Sequence, residues 1–192
     1  MLIDPTILIV IKTLAHLASI NWAFRKNLKL QNGDYGHGII TRFPILHQKN
    51  LYYKMVKSSE RRNLLQMAIN INNQEIVFMN THIDHHLDNA ESISNVRQIR
   101  ASANSYDGKP VTIPGDFNKT PESRMIEKME LDFINATSTI SQLVVTYQST
   151  HPKTQIDYVF TSKDWKIQSI AVSYSFASDH LPLIAGISLD KM

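Results

Sequence analysis

Leu64-Leu65-Gln66-Met67-Ala68-Ile69-Asn70-Ile71, then Asn72-Asn73, then Gln74-Glu75-Ile76-Val77-Phe78-Met79-Asn80-Thr81-His82 is the stretch that decides the fold. Leu65, Met67, Ile69 and Ile71 alternate with Gln66, Ala68 and Asn70, the period of two expected of a strand with one face on a core. Asn72-Asn73 turns the chain, because asparagine tolerates the backbone angles of tight turns. Ile76-Val77-Phe78-Met79 is a second β-rich run, and it stops at the polar cluster Asn80-Thr81-His82. A buried strand ending in groups capable of chemistry is the pattern that recurs along the rest of the chain.

Val111-Thr112-Ile113 leads into Gly115-Asp116-Phe117-Asn118, Ile156-Asp157 precedes Tyr158-Val159-Phe160, and Ser178-Asp179-His180 precedes Leu183-Ile184-Ala185-Gly186-Ile187. Two clusters follow a strand and two precede one, so an antiparallel or mixed sheet can bring all four to one edge. Helices separate these runs. Residues 7–20 place Ile7, Ile11, Leu14 and Ala18 at helical spacing, with that face on a core. Asp88-Asn89-Ala90-Glu91 precedes Ile93, Val96 and Ile99, and Thr120-Pro121-Glu122 precedes Met125, Ile126 and Met129; both read as helix starts. There is no internal repeat and no linker-like tract, so residues 1–192 read as a single domain.

Composition excludes more than it names. With 192 residues, 43% of them hydrophobic, the chain can bury a sizeable core. A net charge of +3 tolerates a phosphate substrate without marking a nucleic-acid-binding patch. The absence of Cys removes disulfides and thiolate metal sites, so a metal would be held by oxygen or imidazole, pointing to Mg²⁺, Mn²⁺ or Ca²⁺ before Zn²⁺. The apolar run from Ile7 to Ile11 is broken by Lys12 and His16, short of the roughly 18 residues of a membrane span, and Asp4-Pro5 before it does not suit a signal peptide. The expectation is a cytoplasmic monomer, secretion of a longer form remaining open.

Six residues form the candidate site: His82, Asp116, Asn118, Asp157, Asp179 and His180. Phosphoester hydrolysis needs a cation to neutralise phosphate oxygens, a base, and donors for transition-state charge. Asp179 is a hard ligand for Mg²⁺ or Mn²⁺, with Asp116 orienting the attacking water. His180 serves as base if Asp157 holds its ring, and Asn118 and His82 face the phosphate oxygens. Crowded carboxylates themselves favour a cation. Each piece alone also reads blandly: Gly-Asp-Phe-Asn as a turn, Ile-Asp-Tyr as a strand start, His82 as a core histidine and Ser-Asp-His as a loop cap.

Together and in this order, Asn80-Thr81-His82-Ile83-Asp84, Pro114-Gly115-Asp116-Phe117-Asn118, Ile156-Asp157-Tyr158-Val159-Phe160 and Ser178-Asp179-His180-Leu181-Pro182-Leu183 resemble the signatures of the endonuclease/exonuclease/phosphatase superfamily, which includes deoxyribonuclease I. Tyr35-Gly36-His37-Gly38-Ile39-Ile40-Thr41-Arg42-Phe43-Pro44-Ile45 and Glu60-Arg61-Arg62 resemble two further family segments. The resemblance implies a four-layer α/β sandwich, two packed mixed β-sheets flanked by helices. It implies a His180–Asp157 catalytic pair, Asp179 and Asp116 at a Mg²⁺ or Mn²⁺ site, Asp116, Asn118 and His82 around the phosphate and water, and Arg62 at the phosphate. Arg62 reads equally as a surface arginine beside Arg61, and His85, His86, Arg97 and Arg100 as a solvated turn and helix face.

The sequence departs from the family pattern at its start. If Ile3-Asp4 takes the place of the family's Val/Ile-Asp, Leu2 stands where the principal metal-binding glutamate is expected, and the preceding asparagine-bearing strand and helix are missing. The loss of a central strand would expose backbone edges. His37-Gly38 also replaces the commoner Asn-Ala. The leading expectation is a metal-dependent phosphodiesterase, nuclease or phosphatase acting on a nucleic acid, phospholipid head group or sugar phosphate. Its alternative is a catalytically impaired homologue that binds a phosphorylated ligand or a partner, and the weakest reading is a nucleic-acid-binding module without chemistry.

Overall fold

The computed structural model describes residues 6–30, 33–57, 60–86, 88–140 and 144–189. Leu2, Ile3 and Asp4, on which the expectation of an altered metal site turns, lie outside them. At the centre is the hairpin of β4 (Asn63–Ile71) and β5 (Gln74–His82), whose turn places Asn72 and Asn73 at φ 50° and 66°. Those angles are the left-handed pair required by a two-residue hairpin, which explains two consecutive asparagines. β3 (Ile45–Tyr52), β6 (Val111–Asp116), β7 (Ile134–Asn135) and β8 (Asp157–Thr161) extend it into a six-stranded sheet in the order β3-β4-β5-β6-β8-β7. The β5–β6 pair is parallel and the other pairs are antiparallel.

β4 is more deeply buried than its alternation suggests. It is a central strand covered on both faces, so the half-buried expectation gives way to burial of Asn63 through Ile69. Leu64 and Ala68 join one core with Val96 and Ile99 of helix α2 (Ala90–Asn104) and Met125, Ile126 and Met129 of helix α3 (Arg124–Glu130). Leu65, Met67 and Ile69 join a second core on the opposite face. Gln66, read as a solvent-facing residue, lies under α2 and accepts hydrogen bonds from Ser102 Oγ (2.9 Å) and Tyr106 Oη (3.1 Å). That satisfies its buried carbonyl.

The second core is closed by two antiparallel ribbons, β1 (Asn21–Leu30) with β2 (Gly33–Thr41), and β9 (Trp165–Val172) with β10 (Leu183–Leu189). β1 and β2 lie over β3, β4 and β5, β10 over β8, and helix α1 (Thr6–Leu17) packs outside the first ribbon. The result is an α/β sandwich of helices, six-stranded sheet, smaller sheet layer and outer helix. The smaller layer is antiparallel and is split into its two ribbons among the described residues. Each of the four ribbon strands pairs on one side only among those residues.

Two local expectations are corrected. Of the inner face assigned to the first helix, Ile11 packs on Gly38, but Leu14 is 51% exposed and Ala18 is exposed, while Ala15 is buried; the side chain of Ile7 is outside the described set. Ile11 occupies the space a Cβ would fill at Gly38, and Ala15, four residues on along the same face, is buried. The third helix begins at Arg124 rather than at Thr120-Pro121-Glu122, because Ser123 is the cap and its Oγ accepts from Ile126 N at 3.3 Å. Among the described residues no helix is long and apolar enough to cross a membrane.

Gly115 sits where β6 passes β5, and an added Cβ would overlap the Thr81 carbonyl. Gly115→Ala therefore has to push the two strands apart. Urea unfolding should show a loss of about 1–3 kcal/mol, typical of overpacking against unyielding atoms.

Candidate active site

Strand pairing builds the site. His82 is the register partner of Asp116 across the parallel β5–β6 pair, and Asp116 is the partner of Asp157 across the antiparallel β6–β8 pair. One rung of the sheet thus carries three of the expected residues abreast. His180, from the segment between β9 and β10, closes on the rung: its Nδ1 is 2.8 Å from Asp157 Oδ2 and its Nε2 is 3.9 Å from Asp116 Oδ2. Its ring rests 4.9 Å from that of Tyr147, centroid to centroid. Asp116, Asp157 and His180 line an open trough of about 400 Å³ that also includes Asn80, Pro114 and Leu183.

Asn118 completes the turn after β6 at φ 49°, a left-handed angle that asparagine adopts readily, and its backbone N–H donates to Asp116 Oδ1 at 2.8 Å. Its amide donates to the Ile83 carbonyl at 3.1 Å and faces His82 Nε2 at 2.8 Å. With the amide so placed, Nε2 is assigned as acceptor and the proton of neutral His82 to Nδ1, 2.8 Å from Tyr35 Oη, although Nε2 also lies 3.2 Å from Asp116 Oδ2. Both amide donors of Asn118 are therefore engaged within the protein.

Arg62 is resolved from its neighbour by burial. Arg61 is exposed and lies over the Tyr52 ring, whereas Arg62 is 5% exposed. Its Nη2 pairs with Glu60 at 2.5 Å and lies 3.5 Å from His85 Nδ1, the Tyr35 hydroxyl is close enough to feel its charge, and Nε and Nη1 are buried without a hydrogen-bond partner among the described residues. A buried guanidinium with two open donors is costly unless an anion meets it.

The same crowding pulls the titrations apart. Burial, reinforced by Arg62, lowers His82 to about 3 and His37 to about 4, so both are neutral at pH 7. Burial and the Asp157 charge raise Asp116 to about 6. The hydrogen bond to Asp157 raises His180 above its ordinary value. Two histidines a few ångströms from one aspartate are thus driven in opposite directions.

Asp179 stands apart. It is exposed, receives the Ser178 hydroxyl at 3.2 Å, and its carbonyl accepts from Ser149 N. Among the described residues Asp116 and Asp179 belong to no group of three metal-ligating side chains; the group that does occur is Asp84, His85 and His86. Mg²⁺ and Mn²⁺ sites can rest on one or two carboxylates plus water and substrate phosphate, so Asp116, whose raised pKa reflects unrelieved crowding, suits such an ion. Sequence reading gave no role to Tyr35, Tyr147 or the buried His37. Tyr35 and His37 sit in the quoted Tyr-Gly-His segment, but only the tertiary fold brings them under His82; Tyr147 lies in a loop without periodicity.

Asp116 yields a stability test. The folded state holds its proton more tightly than the unfolded chain, so stability falls as pH rises from the ordinary 3.8 to about 6, and the loss is complete above that. Asp116→Asn in metal-free buffer should therefore raise stability by about 1–3 kcal/mol above pH 6, and change it little below pH 4, in melting curves across that range.

The model of the Endonuclease/Exonuclease/phosphatase family matches residues 9–180, while no curated protein sequence matches significantly. Among solved structures, the mannosyl-6-phosphatase of Bacteroides thetaiotaomicron superposes with a TM-score of 0.77 at 14% identity, covering 95% of this chain and 82% of that one. The human Nocturnin catalytic domain with bound sulfate gives 0.78 at 15%, covering 97% and 78%. TDP2 of D. rerio with a single-strand DNA product gives 0.73 at 13%, covering 97% and 83%. At these identities the superpositions speak for the fold, and the matched 9–180 span, which contains the whole rung, for descent: the chain belongs to the Endonuclease/Exonuclease/phosphatase family.

Proposed function

We propose that the chain hydrolyses a phosphoester, with His180 and Asp157 as the catalytic pair. The observation that carries this is the placement of His180, whose Nδ1 is bound to Asp157 at 2.8 Å while its Nε2 stands 3.9 Å from Asp116 Oδ2. That separation suits a water held by both groups. In this reading Asp157 accepts a hydrogen bond from Nδ1–H and stays ionised, Nε2 removes a proton from the water, and Asp116 orients it. The resulting oxygen attacks phosphorus, and the imidazolium is stabilised by Asp157 as the leaving oxygen departs.

Arg62 offers Nε and Nη1 to the non-bridging oxygens, and Tyr35 offers its hydroxyl proton while accepting from His82. His82 and Asn118, expected to touch the phosphate directly, act on this arrangement through Tyr35 and Asp116. A Mg²⁺ or Mn²⁺ ion, held by Asp116 with water and the substrate phosphate, would neutralise phosphate oxygens; Asp179, expected as its ligand, is not brought beside Asp116. The names of the structural neighbours, a sugar phosphatase and a DNA-bound enzyme, support a phosphoester substrate without choosing between those two.

A second reading is supported by the open Arg62 donors and the absence of a three-carboxylate group among the described residues: a protein that binds a phosphorylated ligand without turning it over. Calorimetry in which inorganic phosphate binds and Mg²⁺ does not, with no hydrolysis, would select it.

The test of the first reading is hydrolysis of bis-p-nitrophenyl phosphate with Mg²⁺ or Mn²⁺. Activity should vanish on chelation, and His180→Ala or Asp116→Ala should lower kcat by about 10²–10⁴-fold, the range of a lost acid–base group. The rate should rise with pH through a midpoint above 6.5, since neutral His180 is the active form, and Asp157→Asn should move that midpoint down. Hydrolysis indifferent to chelation, or to His180→Ala, contradicts the assignment.

A further inference from the structure

We propose that Asp84, His85 and His86 form a binding site for a late first-row divalent cation, Zn²⁺ foremost, beside the reaction centre and chemically unlike it. One donor atom from each residue lies within 4.8 Å of the other two. The carboxylate is fixed before any ion arrives. Asp84 is fully buried, its Oδ2 accepts from His86 N at 3.0 Å, and its Oδ1 lies 2.7 Å from His86 Nδ1. Lys119 Nζ donates to the His86 carbonyl and ties the segment to the turn after β6.

Both imidazoles are open to solvent and face each other, centroids 4.5 Å apart and planes at 26°. Two rings bound to one tetrahedral ion through nitrogens at about 2.0–2.1 Å have centroids about 5 Å apart, so the pair has to open by roughly half an ångström. Donors of one tetrahedral ion are about 3.3 Å apart, so His86 Nδ1 and Asp84 Oδ1 need to open by only about half an ångström. The cation takes the place of the proton now shared by that pair, and the proton leaves to solvent.

Two imidazoles and one carboxylate favour Zn²⁺, Ni²⁺ or Cu²⁺ over Mg²⁺, which prefers an all-oxygen shell. Three protein ligands leave a coordination position for water or an anion. His85 Nδ1 stands 3.5 Å from Arg62 Nη2, so occupancy is felt through that pair at the arginine that the proposed function assigns to the phosphate.

The test is calorimetric titration of the full chain with ZnCl₂ in millimolar Mg²⁺, in buffers of differing ionisation heat. Expected are one equivalent of Zn²⁺ bound with proton release, and an affinity lowered about tenfold or more in His85→Ala and in His86→Gln. The glutamine keeps a donor for Asp84 and guards against a merely unfolded variant, checked by an unchanged melting curve. Asp116→Asn should leave the binding intact. No uptake, uptake unchanged in both histidine variants, displacement by Mg²⁺, or loss in Asp116→Asn would each overturn the proposal, the last two by placing the ion at the reaction centre.

Discussion

Everything at the site depends on one rung of the sheet. The parallel β5–β6 pair sets His82 beside Asp116, and the antiparallel β6–β8 pair sets Asp116 beside Asp157. Side chains alternate along a strand, so a slip of one residue in either ladder would turn a member of the rung toward the helical face. The register is locked by burial on both faces: Val77 and Met79 under the helices, Ile76 under the ribbons, and Ile113 and Phe160 in the first core. Gly115 permits the close approach of β5 and β6 one residue before the aspartate. The hydrophobic core therefore determines the spacing of the polar groups.

Three polar side chains abreast, with His180 docked on the third, create an electrostatic problem that the surroundings resolve by dividing the protons. Burial disfavours a charge on His82, and the buried Arg62 opposes a second cation there, so His82 stays neutral. Asp157 gives its negative charge to His180, whose proton affinity rises. Asp116, between them, is left with burial and a like charge, and its proton affinity also rises. A neutral imidazole, a paired imidazole and a strained carboxylate are a set from which acid and base roles can be drawn at neutral pH. Cation binding would relieve Asp116 most.

The central strands were legible because β4 to β6 and β8 carry dense apolar runs, and each run ends or begins at a polar cluster. The edges were not. β1, β3 and β9 intersperse Lys26, Lys29, Lys49 and Lys166 among apolar residues, the usual protection of outer strands, and this blurs their period. The burial of Gln66 was hidden because its partners, Ser102 and Tyr106, are far away in sequence. At the site, the motifs named His82, Asp116, Asn118, Asp157 and His180 because each adjoins a strand end. The choice of Arg62 over Arg61, the tautomer of His82, and the parts of Tyr35 and Tyr147 are set by packing between distant segments, on which local sequence is silent.

The division of protons between the two histidines is the claim on which the chemistry rests, and ¹⁵N-detected NMR titration of the imidazoles measures it directly. His82 is expected to remain neutral, with its proton on Nδ1, to below pH 4, while His180 protonates with a midpoint above 6.5. Two histidines titrating together near 6.5, or His82 protonating first, would contradict it.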